Sequence, residues 1–317
     1  MNAALLRNRA IRIVRAFFET ERLAEVRTNR LVPSAAMEPY IDAFSLSGAD
    51  TTHRGYLATS PEFAMKKIFA AEIQSGENAR GIYEIAPVFR DDLPGKHHGA
   101  EFTIIEWYTA NSSLAEILTQ CARLISHLAA EMRISDFNAT MTQFSIIAEL
   151  EKVIKQPLPV DTFPYIELYR SHFGELPHHV NLLDAEIASF NLLFDTWLLP
   201  IIREMPGLVA VSGYPACLAA MARENNGIAK RAEVFYNGLE LANAYAEEFD
   251  ADIIRARWSA NNEIRRLRGV AEHAPDEALF ASLGAMRDVS GIAVGLERLL
   301  SVFFPGIEMR HFDGFSA

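Results

Sequence analysis

The sequence predicts an α+β fold, an antiparallel sheet with helices grouped around it, in one domain over residues 1–317. Three observations predict it. Strand-like runs rich in β-branched and aromatic residues gather in hairpins instead of alternating one by one with helices. The segment RAEVFYNGLELANAYAEEF sets two such runs about Asn237-Gly238, a favoured two-residue hairpin turn. No internal repeat, low-complexity tract or long linker divides the chain.

The elements follow in order. Residues 4–22 place Leu5, Ile11, Val14, Phe17 and Phe18 near one helical face, with arginines opposite. GYLAT reads as a short strand, and SPEFAMKKIFAAEIQ as a helix with Ser60 as N-cap, Pro61 first in the helix and Glu62 as an early acid. GIYEIAPVFR and EFTIIEWYTA are strands flanking a polar loop. Residues 112–134 and 140–154 are expected to be helical. The proline-marked stretch 155–182 is expected to be loop, and helix resumes over 183–204. After the hairpin come a charged amphipathic helix over 251–268 and RDVSGIAVGLERLLSVFF, a strand turning at Gly295 into a helix.

Composition narrows the function classes. A net charge of −11, from 41 acids against 30 lysines and arginines, speaks against a broad nucleic-acid surface, though a local patch would not show in the total. The longest apolar run, FNLLFDTWLLPII, is interrupted by Asp195 and Pro200, well short of the roughly 20 residues that span a bilayer. No membrane span and no secretion signal is read here, and Cys121 and Cys217 fit reduced core thiols. A cytoplasmic protein is expected.

Three segments carry candidate chemistry. In FRDDLPGKHHGAEFTIIEWY, Arg90 ends a strand and suits a phosphate or carboxylate, Phe102 offers a flat face to a base, and His98 adds a donor. A solvated hairpin loop with Phe102 in the core fits the same residues about as well. In the Asn237-Gly238 hairpin, Tyr236 is expected opposite Leu239, Phe235 opposite Glu240 and Glu233 opposite Ala242. Glu233 and Glu240 then become diagonal neighbours about 7–8 Å apart, within reach of a shared hard cation. Spacing alone favours two solvent-facing acids instead. Strict alternation places Asn243 on the other face from Glu240, so a shared pocket needs a bulge near Ala242. In GIAVGLERLL, Gly295 allows close backbone approach, and Arg298 beside a helix N-terminus suits a phosphate or an ordinary salt bridge.

Together these segments resemble the class II aminoacyl-tRNA synthetase catalytic core, in its lysyl branch. FRDD…HHGAEF is similar to motif 2, with the Arg-to-Phe separation of twelve positions kept, and GIAVGLERLL to motif 3. LELANAYAEE and TSPEF resemble the lysyl-type segments that hold the amino acid. The likeness spans essentially the whole chain and leaves no room ahead of the first helix for an anticodon-binding domain. In this it resembles the stand-alone branch that ligates (R)-β-lysine onto a lysine of elongation factor P, and Ala293 agrees with that branch where tRNA enzymes usually carry glycine.

The resemblance implies residue roles. Arg90 binds the α-phosphate and the substrate carboxylate; Phe102 stacks on adenine; His98 and Arg298 hold the outer phosphates of ATP. Asp92, Leu241 and Gly295 belong to the same nucleotide site, with Arg90 and Arg298 the catalytic pair. Glu233 and Glu240 hold Mg²⁺. Ser60, Pro61, Glu62, Tyr108, Asn243, Glu247 and Ala293 form the pocket for a lysine-type substrate. Elongation factor P is the implied acceptor and a homodimer the implied assembly. Departures from the family pattern are Asp92 for glutamate, Gly99-Ala100 for Asn-Pro, Asn29 for the motif 1 proline and Ala244 for glycine. Two further readings are a synthetase-like protein charging another acceptor, such as tRNA, and a catalytically silent paralogue. Retention of Arg90, Glu233, Glu240 and Arg298 together speaks against the silent one.

Overall fold

The computed structural model describes residues 2–76, 80–92, 95, 99–158, 164–176 and 181–312. Short strands come first: β1 (Ala24–Glu25), β2 (Leu31–Val32), β3 (Ser45–Ser47) and β4 (His53–Leu57). The long hairpin is β5 (Gly81–Phe89) and β6 (Glu101–Ala110). It is followed by β7 (Met141–Ser145), β8 (Leu208–Ser212), β9 (Glu224–Asn225) and β10 (Ile228–Ala229). The sheet is completed by β11 (Arg231–Tyr236), β12 (Leu239–Ala246) and β13 (Val289–Gly295).

Among the described residues these make an eight-stranded sheet in the order β1-β5-β6-β13-β12-β11-β8-β7. The interior pairings are antiparallel, as expected, but both outer pairs, β1 with β5 and β7 with β8, run parallel. The β7 edge corrects the reading of 140–154 as all helix. Met141–Ser145 is a strand, and Ser145 then caps the helix that follows by accepting from the Ala148 N–H.

One sheet face is covered by α1 (Ala3–Glu21), α3 (Leu114–Met132) and α10 (Leu296–Phe303). Asn2 caps α1, and Ser113 with Glu116 forms a reciprocal capping box on α3. Leu6, Ala10, Val14, Phe17 and Phe18 form the buried stripe of α1, whereas Leu5 is 66% exposed, one position off the expected face. Phe18 stacks on Tyr83 at 4.4 Å and tilts against Trp107 at 5.2 Å. Trp107 is wholly buried and donates from Nε1 to Gln120 at 2.7 Å, so its one polar atom is satisfied. Each such large apolar side chain contributes about 1.5–3 kcal/mol by burial. This layer makes the sheet a rigid base.

The other face holds α2 (Glu62–Ser75), α8 (Ala251–Leu267) and α9 (Glu277–Ser282), packed through Met37, Phe63, Met221, Trp258 and Phe280. Beyond β8 and β7, a second core gathers α4 (Ile146–Ile154), α5 (Pro164–Phe173), α6 (Leu182–Leu193) and α7 (Leu199–Glu204), joined by a π-turn over Phe194–Leu198. Helix α5 corrects the expectation of loop through 155–182. Its start at Pro164 uses the ring where no amide donor is required. The helical run Leu182–Glu204 is long and apolar enough to cross a membrane by length and composition, contrary to the sequence reading. Phe190, Leu193, Leu198 and Ile202 are instead buried in the second core.

Candidate active site

The sheet face opposite α1 and α3 lines a cavity of about 370 Å³. Its floor consists of two cross-strand rows, because residues directly opposite in antiparallel pairs share a face. The first row runs Glu106, Ala293, Asn243, Glu233 across β6, β13, β12 and β11. The second runs Tyr108, Gly291, Tyr245, Arg231. A methyl group on Gly291 would lie 2.4 Å from the Tyr108 ring, so glycine is what lets Tyr108 lean over β13.

The turn at Asn237-Gly238 forms as expected, both residues having positive φ (51° and 76°). Tyr236 faces Leu239 and Phe235 faces Glu240, but Val234 is opposite Ala242 and Glu233 opposite Asn243. The expected Glu233–Ala242 pairing is thereby corrected. Leu241 is the extra residue of a bulge, and it turns with Ala242 into the core. That one-residue shift brings Glu240 and Asn243 to the same cavity.

One end of the cavity is acidic and buried. Lys66 is fully buried and lies 2.6 Å from Glu62 and 2.7 Å from Glu247. Glu106 accepts from Ser60 at 2.9 Å and from Tyr108 at 2.6 Å. Burial, then the charge of Glu62, pushes Glu106 up to about 8. Burial pushes Glu247 up to about 7, against the pull of Lys66. Glu62 is raised by burial, with Lys66 opposing and Glu38 adding to the rise. Burial alone would lower Lys66, but Glu247 and Glu62 hold it above the usual lysine range. Crowded carboxylates of this kind, with one resident ammonium, are built to receive positive charge.

The middle of the cavity is a polar cluster about Arg231. Its guanidinium donates to Glu233, to Asn243 at 3.1 Å and to the Leu218 carbonyl at 2.8 Å, and lies 4.8 Å from the Tyr214 ring. The Tyr214 hydroxyl donates to Glu233 at 2.6 Å. Burial raises Glu233; Arg231 opposes this and the nearby charge of Glu240 adds to it.

The far end is basic. Arg90 continues the β5–β6 hairpin by donating its N–H to the Ala100 carbonyl at 2.9 Å. Its guanidinium lies 5.2 Å from the Phe102 ring, and its buried Nε has no hydrogen-bond partner among the described residues. Phe102 rests on Ala86, Val88 and Ile104 with Ala293 beside it. Arg298 donates to the Glu240 carbonyl at 3.2 Å and carboxylate at 3.3 Å. Asp92 lines this end from an exposed position, and Gly295 turns β13 into α10 there.

Most of the expected set therefore converges. Ser60, Glu62, Arg90, Asp92, Phe102, Tyr108, Glu233, Glu240, Leu241, Asn243, Glu247, Ala293, Gly295 and Arg298 all line the one cavity. Pro61 does not; it is the N-cap of α2 and accepts from the Met65 N–H, while Ser60 Oγ accepts from Glu62 N–H at 3.1 Å. His98 lies outside the described residues. Cys121 is a core thiol, raised to about 12 by burial, but Cys217 lines the cavity wall. Sequence reading missed Glu106, Arg231, Tyr245 and Gly291, although each lies two residues along a strand from one it named. It also missed Lys66, one helical turn after Glu62.

No group of three or more His, Cys, Asp or Glu side chains arranged for a metal occurs among the described residues. Glu233 and Glu240 nonetheless suit a hard cation that arrives with polyphosphate. Their charges oppose one another across the cavity, and carboxylate oxygens already bonded to Arg231, Tyr214 or Arg298 keep a second lone pair.

Comparison with known proteins gives the family. The family of class II tRNA synthetases for D, K and N matches residues 1–312. Proteins named elongation factor P–(R)-β-lysine ligase are similar over nearly the whole length. The one from Pectobacterium atrosepticum is 29% identical over 98% of this chain and 94% of its own. The Haemophilus influenzae protein is 29% identical over 94% and 90%, and that of Yersinia enterocolitica 28% over 94% and 90%. With the antiparallel central strands, the converging motifs and this match, the chain belongs to the class II tRNA synthetase family and is an amino-acid ligase of that kind.

Proposed function

We propose that the protein activates a diamino acid of the lysine type, (R)-β-lysine foremost, as its adenylate and transfers the acyl group to a lysine side chain of elongation factor P. The observation that carries this is the polarity of one cavity, with buried carboxylates Glu62, Glu106 and Glu247 at one end and Arg90 and Arg298 at the other. An amino acid lying along it directs its ammonium groups to the acids and its carboxylate to Arg90. The names of its relatives supply the acceptor.

In the first step a carboxylate oxygen of the amino acid bonds to the α-phosphorus of ATP and the α–β phosphoanhydride bond breaks, releasing pyrophosphate. Arg90, with a guanidinium N–H uncommitted among the described residues, stabilises the charge that gathers on the α-phosphate. Phe102 supplies the apolar face for adenine, and Arg298 the charge for the outer phosphates. Glu233 and Glu240 would hold Mg²⁺, which neutralises polyphosphate when bound. In the second step the acceptor's amine attacks the acyl carbon, AMP leaves, and the amine loses a proton. A homodimer working in the cytoplasm, where ATP and translation factors are available, completes the reading.

The acceptor is tested by incubating the protein with ATP, Mg²⁺ and labelled (R)-β-lysine, with elongation factor P or total tRNA as acceptor. Label on elongation factor P, lost on changing its acceptor lysine to arginine, is the expected result. Label on tRNA alone would overturn the acceptor assignment.

A further inference from the structure

Lys66 has no part in the mechanism above, yet it is the most deeply placed charge of the acidic end. It is 0% exposed, is not among the residues lining the cavity, and lies within 2.7 Å of two carboxylates that are. Burying an ion pair gives the fold little that apolar packing of the same volume would not. Its place is better explained by what it does to its partners.

We propose that Lys66 is a positioning residue for amine recognition, a resident ammonium that fixes Glu62 and Glu247 so that the ammonium of the incoming amino acid shares them. The inference rests on the reading that this end of the cavity takes an amine. Lys66 engages Oε1 of Glu62 and Oε2 of Glu247 from beneath the cavity wall. Both Glu247 oxygens are buried without a hydrogen-bond partner among the described residues, and of the two it is Oε2 that makes the 2.7 Å ion-pair contact with Lys66. Beside Oε1 lies Gly291, where a methyl group would come within 2.7 Å of it. The chain thus keeps one acceptor atom of a buried carboxylate clear, while the other is held by a cation of its own. Each Glu106 oxygen already accepts one neutral donor, from Ser60 and from Tyr108, whereas Glu247 Oε1 accepts none among the described residues, which makes Glu247 the better partner for a second ammonium.

Charge explains why the resident cation matters. Glu62 and Glu247 share this end with Glu106, Tyr108 and Glu38; Arg90 acts on Glu62 and Arg223 on Glu247 from further away. Without Lys66 the acids would repel one another more strongly and keep their protons to still higher pH, and a protonated carboxyl holds an ammonium weakly. Lys66 opposes the rise that burial imposes on both, and Nζ lies 5.8 Å from the Tyr108 ring, whose hydroxyl is tied to Glu106.

The test is amino-acid-dependent ATP–pyrophosphate exchange by the full-length protein over pH 5.5–9, with α-lysine and (R)-β-lysine as probes. For Lys66→Met we expect the KM for the amino acid to rise at least about tenfold with the KM for ATP unchanged. We also expect the acid limb of kcat/KM for the amino acid to move to higher pH. Lys66→Arg keeps the charge but alters the reach. It should raise the amino-acid KM by a smaller factor and leave the acid limb in place, and it decides the matter if Lys66→Met does not fold. A folded Lys66→Met with unchanged amino-acid KM and pH profile would overturn the proposal. So would a folded Lys66→Arg in which the KM values for ATP and amino acid rise together, the mark of a merely structural role. Absence of exchange by the wild-type protein with either probe would instead overturn the functional reading, and the proposal with it.

Discussion

The two ends of the cavity are built on different principles. At the acidic end the charged groups answer one another: Lys66 lies between Glu62 and Glu247, and Ser60 and Tyr108 both donate to Glu106. At the basic end Arg90 Nε is buried without a hydrogen-bond partner among the described residues, and Arg298 donates to Glu240 at 3.2–3.3 Å. On the proposed function, the acidic end is pre-organised for a small ammonium that must be selected. The basic end is assembled for a large polyanion that brings its own charge. That reading divides selectivity and chemistry between regions that share one sheet.

The sharpest way to break this comparison is at the basic end. Arg90→Ala should lower pyrophosphate exchange by about 10²–10³, with the far-ultraviolet circular dichroism unchanged. A loss confined to the amino-acid KM would place Arg90 in selection instead of chemistry. At the acidic end, Glu247→Gln should raise the amino-acid KM by about 10–100-fold while leaving the ATP KM near wild type. Steady-state kinetics with each substrate varied in turn checks this, and equal effects on both would dissolve the division.

The smallest effect concerns stability. Glu106 is raised to about 8 and Glu247 to about 7 from an ordinary 4.5, so between the ordinary and raised values the folded chain binds more protons than the unfolded one. Stability from these groups is full below about pH 4.5 and declines as pH rises through 7–8. The melting temperature of the ligand-free protein should therefore fall between pH 6 and 8.5, more gently in Glu106→Gln, and lysine should offset the fall. Thermal denaturation across that range tests it, and a rise with pH would contradict the assignment of these acids as strained by burial.

Much of this division was legible before any coordinates. Asn237-Gly238 fixed the central hairpin because few residues tolerate two successive positive φ angles. Its bulge was not readable, since alternation alone cannot say where an extra residue sits, although the need to bring Glu240 and Asn243 together pointed to one. The β7 strand was misread because MTQFS runs directly into the α4 pattern, and its pairing partner Leu208–Ser212 lies far away in sequence. Helix α5 was hidden by prolines that in isolation read as loop. In the site, residues matching the motifs were found, while Lys66, Arg231 and Gly291 were not. Their roles come from cross-strand and helix-to-strand neighbours, which tertiary packing alone brings together.

The central claim is that one cavity joins an amine-selecting end to a phosphate-handling end. It is tested most directly by ATP–pyrophosphate exchange with (R)-β-lysine, α-lysine and norleucine, the last keeping the α-lysine chain without its terminal amine. The account predicts exchange with a lysine isomer, abolished in Arg90→Ala, and a rate with norleucine at least about 10²-fold lower. Comparable exchange with norleucine, or none with any of the three, would contradict it.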